Sequence, residues 1–359
     1  MMTDTPPVAP GLVDLPRLTA WLDAHVPALG DGQLVVTQLH GGTSNVILTL
    51  NRGGKDMVLR RPPPVSPPGA EKGVLREARV LTALGGTAVP HPTCHGSCAD
   101  PAVIGAPFYV MERVEGWAAE LRGERIYHRA PFDRPPCEYG IAYAMVDGLI
   151  ALANVDYKAV GLDGFGKPDN FLARQVDRWE SQIRSYPERY GSEWRELPGF
   201  AYGRDWLSAN IPDDFRAGII HGDVGTPNAL FAFDLPARLT ALIDWELSTI
   251  GDPLIDLAWF TGRLRDEDHP EVIGETVLYA AENFPTRQEL ARYYAAGTGR
   301  DLTSFDYYSV LAAYKSGCIL EYKVAQSAAG ILPPETGRFF DKLVRAAFAR
   351  AEVLARKAG

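Results

Sequence analysis

The period of the apolar positions changes partway along the chain, and that change divides it. Early on, short alternating or continuous apolar runs at residues 33–39, 46–50 and 57–60 read as strands. They are separated by the turn His40-Gly41-Gly42-Thr43-Ser44-Asn45 and by Gly53-Gly54. Ahead of them, residues 12–29 carry helical spacing, with Leu15, Leu18, Trp21, Leu22 and Val26 on or near one face. Residues 61–69, RPPPVSPPG, form an extended loop, because proline fixes φ and removes a donor. The spacing then predicts a helix over 74–84, with Glu77 on it, and a strand over 106–114 that runs into a connector at Glu115-Gly116. From residue 117 helical spacing dominates. Helices are expected at 142–155 and 171–186, then near 271–283, 287–296, 304–327 and 335–357. The reading is therefore a Pro-rich tail and helix (1–30), a small β-rich half (31–114) and a larger helical half (115–359).

The helical half is interrupted by residues 219–256, IIHGDVGTPNALFAFDLPARLTALIDWELSTIGDPLIDLA. Two polar clusters there each follow an apolar run. One is His221-Gly222-Asp223, with Asn228 five positions on; the other is Asp244-Trp245-Glu246. A loop, a hairpin and a second loop would bring Asp223, Asn228 and Asp244 together at one end of a small sheet. Two carboxylates and a carboxamide make a hard, oxygen-rich site suited to Mg²⁺. In the β-rich half, the amides of Gly41 and Gly42 and the hydroxyls of Thr43 and Ser44 are candidate donors to phosphate oxygens. A plain tight hairpin turn explains the same residues.

Composition adds limits. The chain is 46% hydrophobic and 23% charged, with a formal charge of −9. That balance argues against a protein built to grip nucleic acid or an anionic membrane. No apolar run is long enough to span a bilayer, and the N-terminus lacks the basic start and apolar core of a signal peptide, so a cytoplasmic protein is expected. Four cysteines do not make a disulfide framework. His91, Cys94, His95 and Cys98 have zinc-ligand residue types at short spacing.

The segment from His221 to Asn228, HGDVGTPN, resembles the catalytic loop of the aminoglycoside phosphotransferase family, which has HGD where protein kinases have HRD. Ile243-Asp244-Trp245-Glu246 is similar to that family's counterpart of the kinase DFG motif. The phrases VLRRPP, GAPFYVME and IDWELSTIGDPLIDLAW further resemble the branch fused to acyl-CoA dehydrogenases, although no dehydrogenase domain is expected here. The resemblance covers roughly residues 30–350. It implies an α+β, two-lobed protein-kinase-like fold that uses ATP, or alternatively GTP, with Mg²⁺.

By that resemblance Asp223 is the catalytic base, and Asn228 and Asp244 hold the metal. Arg60 stands where the family usually has lysine. Strand alternation puts it on the face of Val58, which favours it over Arg61. Glu77 is its expected helix partner. Met111, Glu112, Arg113 and Val114 form the expected hinge against adenine. His221 is expected to hydrogen-bond rather than react, Asp252 and Asp256 to tie the metal loop to the next helix, and Trp245 to pack beside Asp244. An ordinary strand is implied where the zinc-like residues lie. The acceptor is expected to be a small-molecule alcohol, a hydroxyacyl-CoA or related metabolite, met by a monomer or homodimer. Arg174, Arg178, Tyr314, Glu321 and Tyr322 are unassigned candidates to line its site. Competing readings are an aminoglycoside or macrolide kinase, a nucleotide-binding regulatory module, and a metal-dependent hydrolase.

Overall fold

In a computed structural model, residues 11–39, 45–65, 69–122, 125–264 and 284–359 are described. The tail 1–10, the candidate phosphate turn at Gly41, Gly42, Thr43 and Ser44, and the helix expected near 271–283 lie outside them.

The first helix, α1 (Leu15–His25), is shorter than the apolar spacing suggested, because Asp14 caps it and Pro27 starts a separate single turn. Strands β1 (Leu34–Leu39), β2 (Val46–Arg52) and β3 (Lys55–Arg61) follow, then α2 (Ala70–Leu84), β4 (Cys94–Cys98) and β5 (Phe108–Glu112). These strands make one antiparallel sheet in the order β1-β2-β3-β5-β4. Leu18 and Leu22 of α1 close one face over Leu48, Leu50, Leu59, Phe108 and Val110. Each fully buried side chain of this kind contributes roughly 1.5–3 kcal/mol.

The larger lobe begins with a small hairpin, β6 (Glu120–Arg122) and β7 (Arg125–Tyr127), and helices α3 (Cys137–Ala153), α4 (Phe171–Tyr190) and α5 (Phe200–Ala209). Four short strands frame the polar loops: β8 (Gly218–Ile220), β9 (Ala229–Phe231), β10 (Leu239–Leu242) and β11 (Thr249–Gly251). The remaining helices among the described residues are α6 (Leu254–Thr261), α7 (Arg287–Thr298), α8 (Phe305–Ala328) and α9 (Pro334–Ala358). The two-lobed, kinase-like α+β fold expected from the motifs is the one observed.

Helix α2 fastens the lobes together. Its buried stripe, Val74, Ala78, Leu81 and Leu84, belongs to the large lobe's core. Arg76 donates to the carbonyls of Phe165 (2.9 Å) and Ser248 (3.3 Å). Glu77 falls on the same stripe by the i, i+3, i+4 rule and is 1% exposed, so it points inward and not to solvent. No described helix is long and apolar enough to cross a membrane.

Candidate active site

Pairing of β8 with β11 and of β9 with β10 brings the two polar loops side by side. His221 follows β8, Asn228 precedes β9, and Asp244 lies just past β10. Asn228 Nδ2 donates to Asp223 Oδ2 at 3.0 Å and to the Asp223 carbonyl at 2.8 Å, and the Asn228 carbonyl accepts from the Ile243 amide at 2.9 Å. The spacing had suggested this juxtaposition. Gly222 has φ +89°, and a Cβ there would meet the Leu247 carbonyl at 2.6 Å, so the turn before Asp223 requires glycine. Asp244 also has positive φ (67°), a conformation that aspartate tolerates better than most residues.

The loop around Asp223 is held from several directions. His221 is buried; its Nε2 is 2.9 Å from the Ile243 carbonyl, and its Nδ1 accepts from the Asp223 amide at 3.4 Å. Its ring lies 4.6 Å from that of Trp245. Trp245 is buried next to Asp244, donating from Nε1 to the Leu242 carbonyl at 2.9 Å and from its amide to Glu77 Oε1 at 3.2 Å. Asp256 of α6 accepts from the amides of His221 (2.6 Å) and Gly222 (2.9 Å). It therefore ties the Asp223 loop, and not the Asp244 loop, to the next helix. Asp252 instead takes Arg300 (2.7 Å), Tyr308 (2.8 Å) and the amides of Arg216 and Leu254.

Arg60 points into the cleft between the lobes. It meets Glu77 at 3.0 Å, Asp244 at 2.7 Å and Glu246 at 3.4 Å. With its amide oriented to satisfy both partners, Asn45 also accepts from Arg60 at 3.1 Å. Arg61 turns the other way and clasps the carbonyls of Leu12, Pro62 and Ile104 inside the small lobe. Burial alone would lower the Arg60 guanidinium, but Glu77, Tyr109 and Asp244 carry it above its ordinary value. The Glu77 carboxyl is pushed up to about 7, by burial first and then by Asp244 and Glu246, against the pull of Arg60. Glu246 and Asn45 were missed in the sequence. The IDWE motif already contained the former.

This cleft has a volume of about 430 Å³. Val58, Arg60, Glu77, Met111, Glu112, Arg113, Val114, Asn228 and Asp244 border it, so the expected hinge and the expected metal residues share one cavity. Glu112 is anchored by Thr93, whose amide and hydroxyl donate to Oε2 at 3.2 and 2.9 Å. Asn228 and Asp244 carry oxygen donors of the kind a hard divalent cation takes, with phosphate and water to complete its shell. The zinc-like segment has a different character. Cys94 and Cys98 lie in β4, paired with β5, and His91 Nδ1 contacts the Val89 carbonyl at 2.7 Å. Among the described residues no group of three or more His, Cys, Asp or Glu is placed to hold a metal.

A second cavity of about 430 Å³ meets the Asp223 loop from the helical side. Its walls come from α6, α8 and α9 and include Trp259, Ala312, Ile319, Leu320, Phe339 and Leu343. Arg263, Lys323 and Arg350 also border it, and among the described residues Asp223 is its sole carboxylate. Of the five unassigned candidates, Tyr322 lines it. Tyr314 is buried against Phe200 and Phe348, Glu321 pairs with Arg195 at 2.6 Å, and Arg174 donates to the carbonyls of Lys167 and Asp169. Arg178 lies over Trp179, behind the Asp223 loop.

The model of the phosphotransferase enzyme family APH matches residues 35–293, and the chain belongs to that family. It is 32% identical over 326 residues to "Acyl-CoA dehydrogenase family member 11" of Gallus gallus, an alignment covering 88% of this chain and 39% of that protein. The chain thus spans less than half the length of the curated relatives it matches. A crystal structure from Ralstonia eutropha described as a "putative aminoglycoside phosphotransferase" superposes with TM-score 0.80 at 29% identity, covering 97% of this chain and 99% of that one. The GDP and kanamycin complex of the aminoglycoside phosphotransferase APH(2")-IIia shares the fold, with TM-score 0.58 at 15% identity over 92% and 98% of the two chains.

Proposed function

We propose that this protein transfers the γ-phosphoryl group of ATP to the hydroxyl of a small alcohol that carries an apolar chain and an anionic group, a hydroxyacyl-CoA being the type. The observation that carries this reading is the position of Asp223. It borders the helical cavity and is bonded through Asn228 to the cleft between the lobes. An alcohol in the first and a nucleotide in the second would meet at its carboxylate.

Asp223 would accept the hydroxyl proton as the oxygen–phosphorus bond forms and the bond to the β-phosphate oxygen breaks, releasing ADP. Arg60, held by Glu77, supplies positive charge to the phosphates from the cleft wall. The backbone of Met111 to Val114 faces the adenine side, and Gly41 to Ser44 are proposed to cover the phosphates. Mg²⁺, held by Asn228 and Asp244, would neutralise phosphate charge.

Acceptor class follows from the second cavity. A polycationic aminoglycoside needs an acidic wall, whereas this one is apolar with arginine and lysine at its border. The likeness to acyl-CoA dehydrogenase family proteins supports the same choice. The test is an ATP-consumption screen with Mg²⁺ over hydroxyacyl-CoAs, aminoglycosides, macrolides, choline and homoserine. Stimulation by hydroxyacyl-CoAs is expected. Stimulation by aminoglycosides in their place would overturn the acceptor class. Tight nucleotide binding with no acceptor-dependent turnover would favour a binding module.

A further inference from the structure

One buried cation near Asp223 has no part in the roles given so far. Lys315 lies on α8 and is 7% exposed. Its Nζ donates to the Gly222 carbonyl at 2.6 Å, across 93 positions of sequence. It also sits 4.2 Å from the centre of the Trp259 ring. Among the described residues it forms no ion pair. Burying an ammonium is costly, and an apolar side chain would fill this space without that cost. The hydrogen bond to Gly222 and the contact with the Trp259 ring are therefore what distinguish lysine here. Burial draws its pKa down to about 8, while Asp256 and Asp223 hold it up.

What Lys315 grips is the peptide that leads into Asp223. Asp256 holds the amide of Gly222 and Lys315 holds its carbonyl, so that residue is fixed from two different helices. Gly222 lacks a Cβ to limit its φ and ψ, so these clamps help to aim Asp223 together with the bonds from Asn228 and to His221. The neighbours of Lys315 on α8, Ala312, Ala313, Ser316 and Ile319, line the helical cavity, and so does Trp259. The same helix thus touches both the space for the acceptor and the backbone of the base.

We propose that Lys315 is a positioning residue for Asp223, holding the Gly222 carbonyl so that the carboxylate meets an alcohol seated against α8 and Trp259. This role rests on the phosphotransferase reading above. It acts on the transfer step and leaves nucleotide binding alone, because Lys315 does not border the cleft between the lobes.

The test compares wild type, Lys315→Met and Lys315→Arg. It measures kcat and KM for Mg-ATP and for responsive hydroxyacyl-CoAs, affinity for Mg-AMP-PNP, and thermal melting. Methionine fills the space beside Trp259 without the donor, whereas arginine restores a cationic donor. A misaimed base is expected to lower kcat about 10²-fold in Lys315→Met, with AMP-PNP affinity within about twofold of wild type. Lys315→Arg should recover about tenfold or more of that loss. Lys315→Met with near-wild-type kcat would overturn the proposal. So would kcat and nucleotide affinity falling together, or arginine performing no better than methionine. Wild type that transfers no phosphoryl group to any acceptor would overturn the phosphotransferase reading, and this role with it. Transfer by wild type that Lys315→Met preserves would overturn the Lys315 role alone.

Discussion

Two cavities of about 430 Å³ meet at the loop 223–228, and they differ in chemistry. The cleft between the lobes centres on ions, with one guanidinium ringed by Glu77, Asp244 and Glu246. The helical cavity is walled by aromatic, aliphatic and small side chains, with cations at its border. On the reading proposed above, the first would take the nucleotide with its metal and the second the acceptor. Charge placement would then hold the one, and the shape of an apolar wall would select the other.

The largest effect should come from Asp223, which borders the helical cavity and is bonded to Asn228 of the cleft. Asp223→Asn keeps the side-chain size and removes the proposed base, so kcat should fall about 10³-fold while Mg-AMP-PNP affinity holds. Turnover equal to wild type would dissolve the link between the cavities. Next is the ionic side. Arg60→Met leaves Glu77 buried without its cation and should destabilise the fold by roughly 3–5 kcal/mol in urea unfolding. The double variant Arg60→Met, Glu77→Met should recover most of that. If the double variant unfolds as readily as the single one, the Arg60–Glu77 pair is not what holds the cleft.

On the apolar side, Ser316→Trp should fill part of the helical cavity. The acceptor KM should rise about tenfold, the equivalent of roughly 1.4 kcal/mol of binding, with ATP affinity unchanged. An unchanged acceptor KM would place the acceptor elsewhere.

The smallest effect concerns stability alone. His128 lies by Trp117 and Phe284, and burial lowers its pKa from 6.5 to about 4. The unfolded chain takes up a proton between those values that the folded chain refuses. This contribution is intact above pH 6.5 and is lost as pH falls toward 4, by at most about 1.4 kcal/mol per pH unit. His128→Phe should flatten that slope in unfolding measured at pH 7 and pH 5, and an identical slope would contradict the assignment.

The sequence was a better guide to the ionic cavity than to the apolar one. Asp223, Asn228 and Asp244 could be read because short loops between short strands leave little freedom in where they meet. Arg60 was separable from Arg61 because neighbouring residues on a strand face opposite ways. The strand at Cys94–Cys98 came only through the family resemblance, since CHGSC has no apolar alternation. The helical cavity was hidden for a physical reason. Its residues on α6, α8 and α9 have the same apolar spacing as core residues, and only assembly shows which ones face space. Tyr314 and Glu321, candidates that residue type alone left unassigned, are packing and ion-pair residues. Lys315 gave no signal at all, because its partner is a backbone carbonyl far away in sequence.

The central claim is transfer to an alcohol, and identifying the product tests it most directly. ³¹P NMR of wild-type protein with Mg-ATP and a responsive hydroxyacyl-CoA should show a new phosphomonoester resonance growing in step with ADP, and none with Asp223→Asn. ADP appearing with inorganic phosphate and no phosphomonoester would contradict the account.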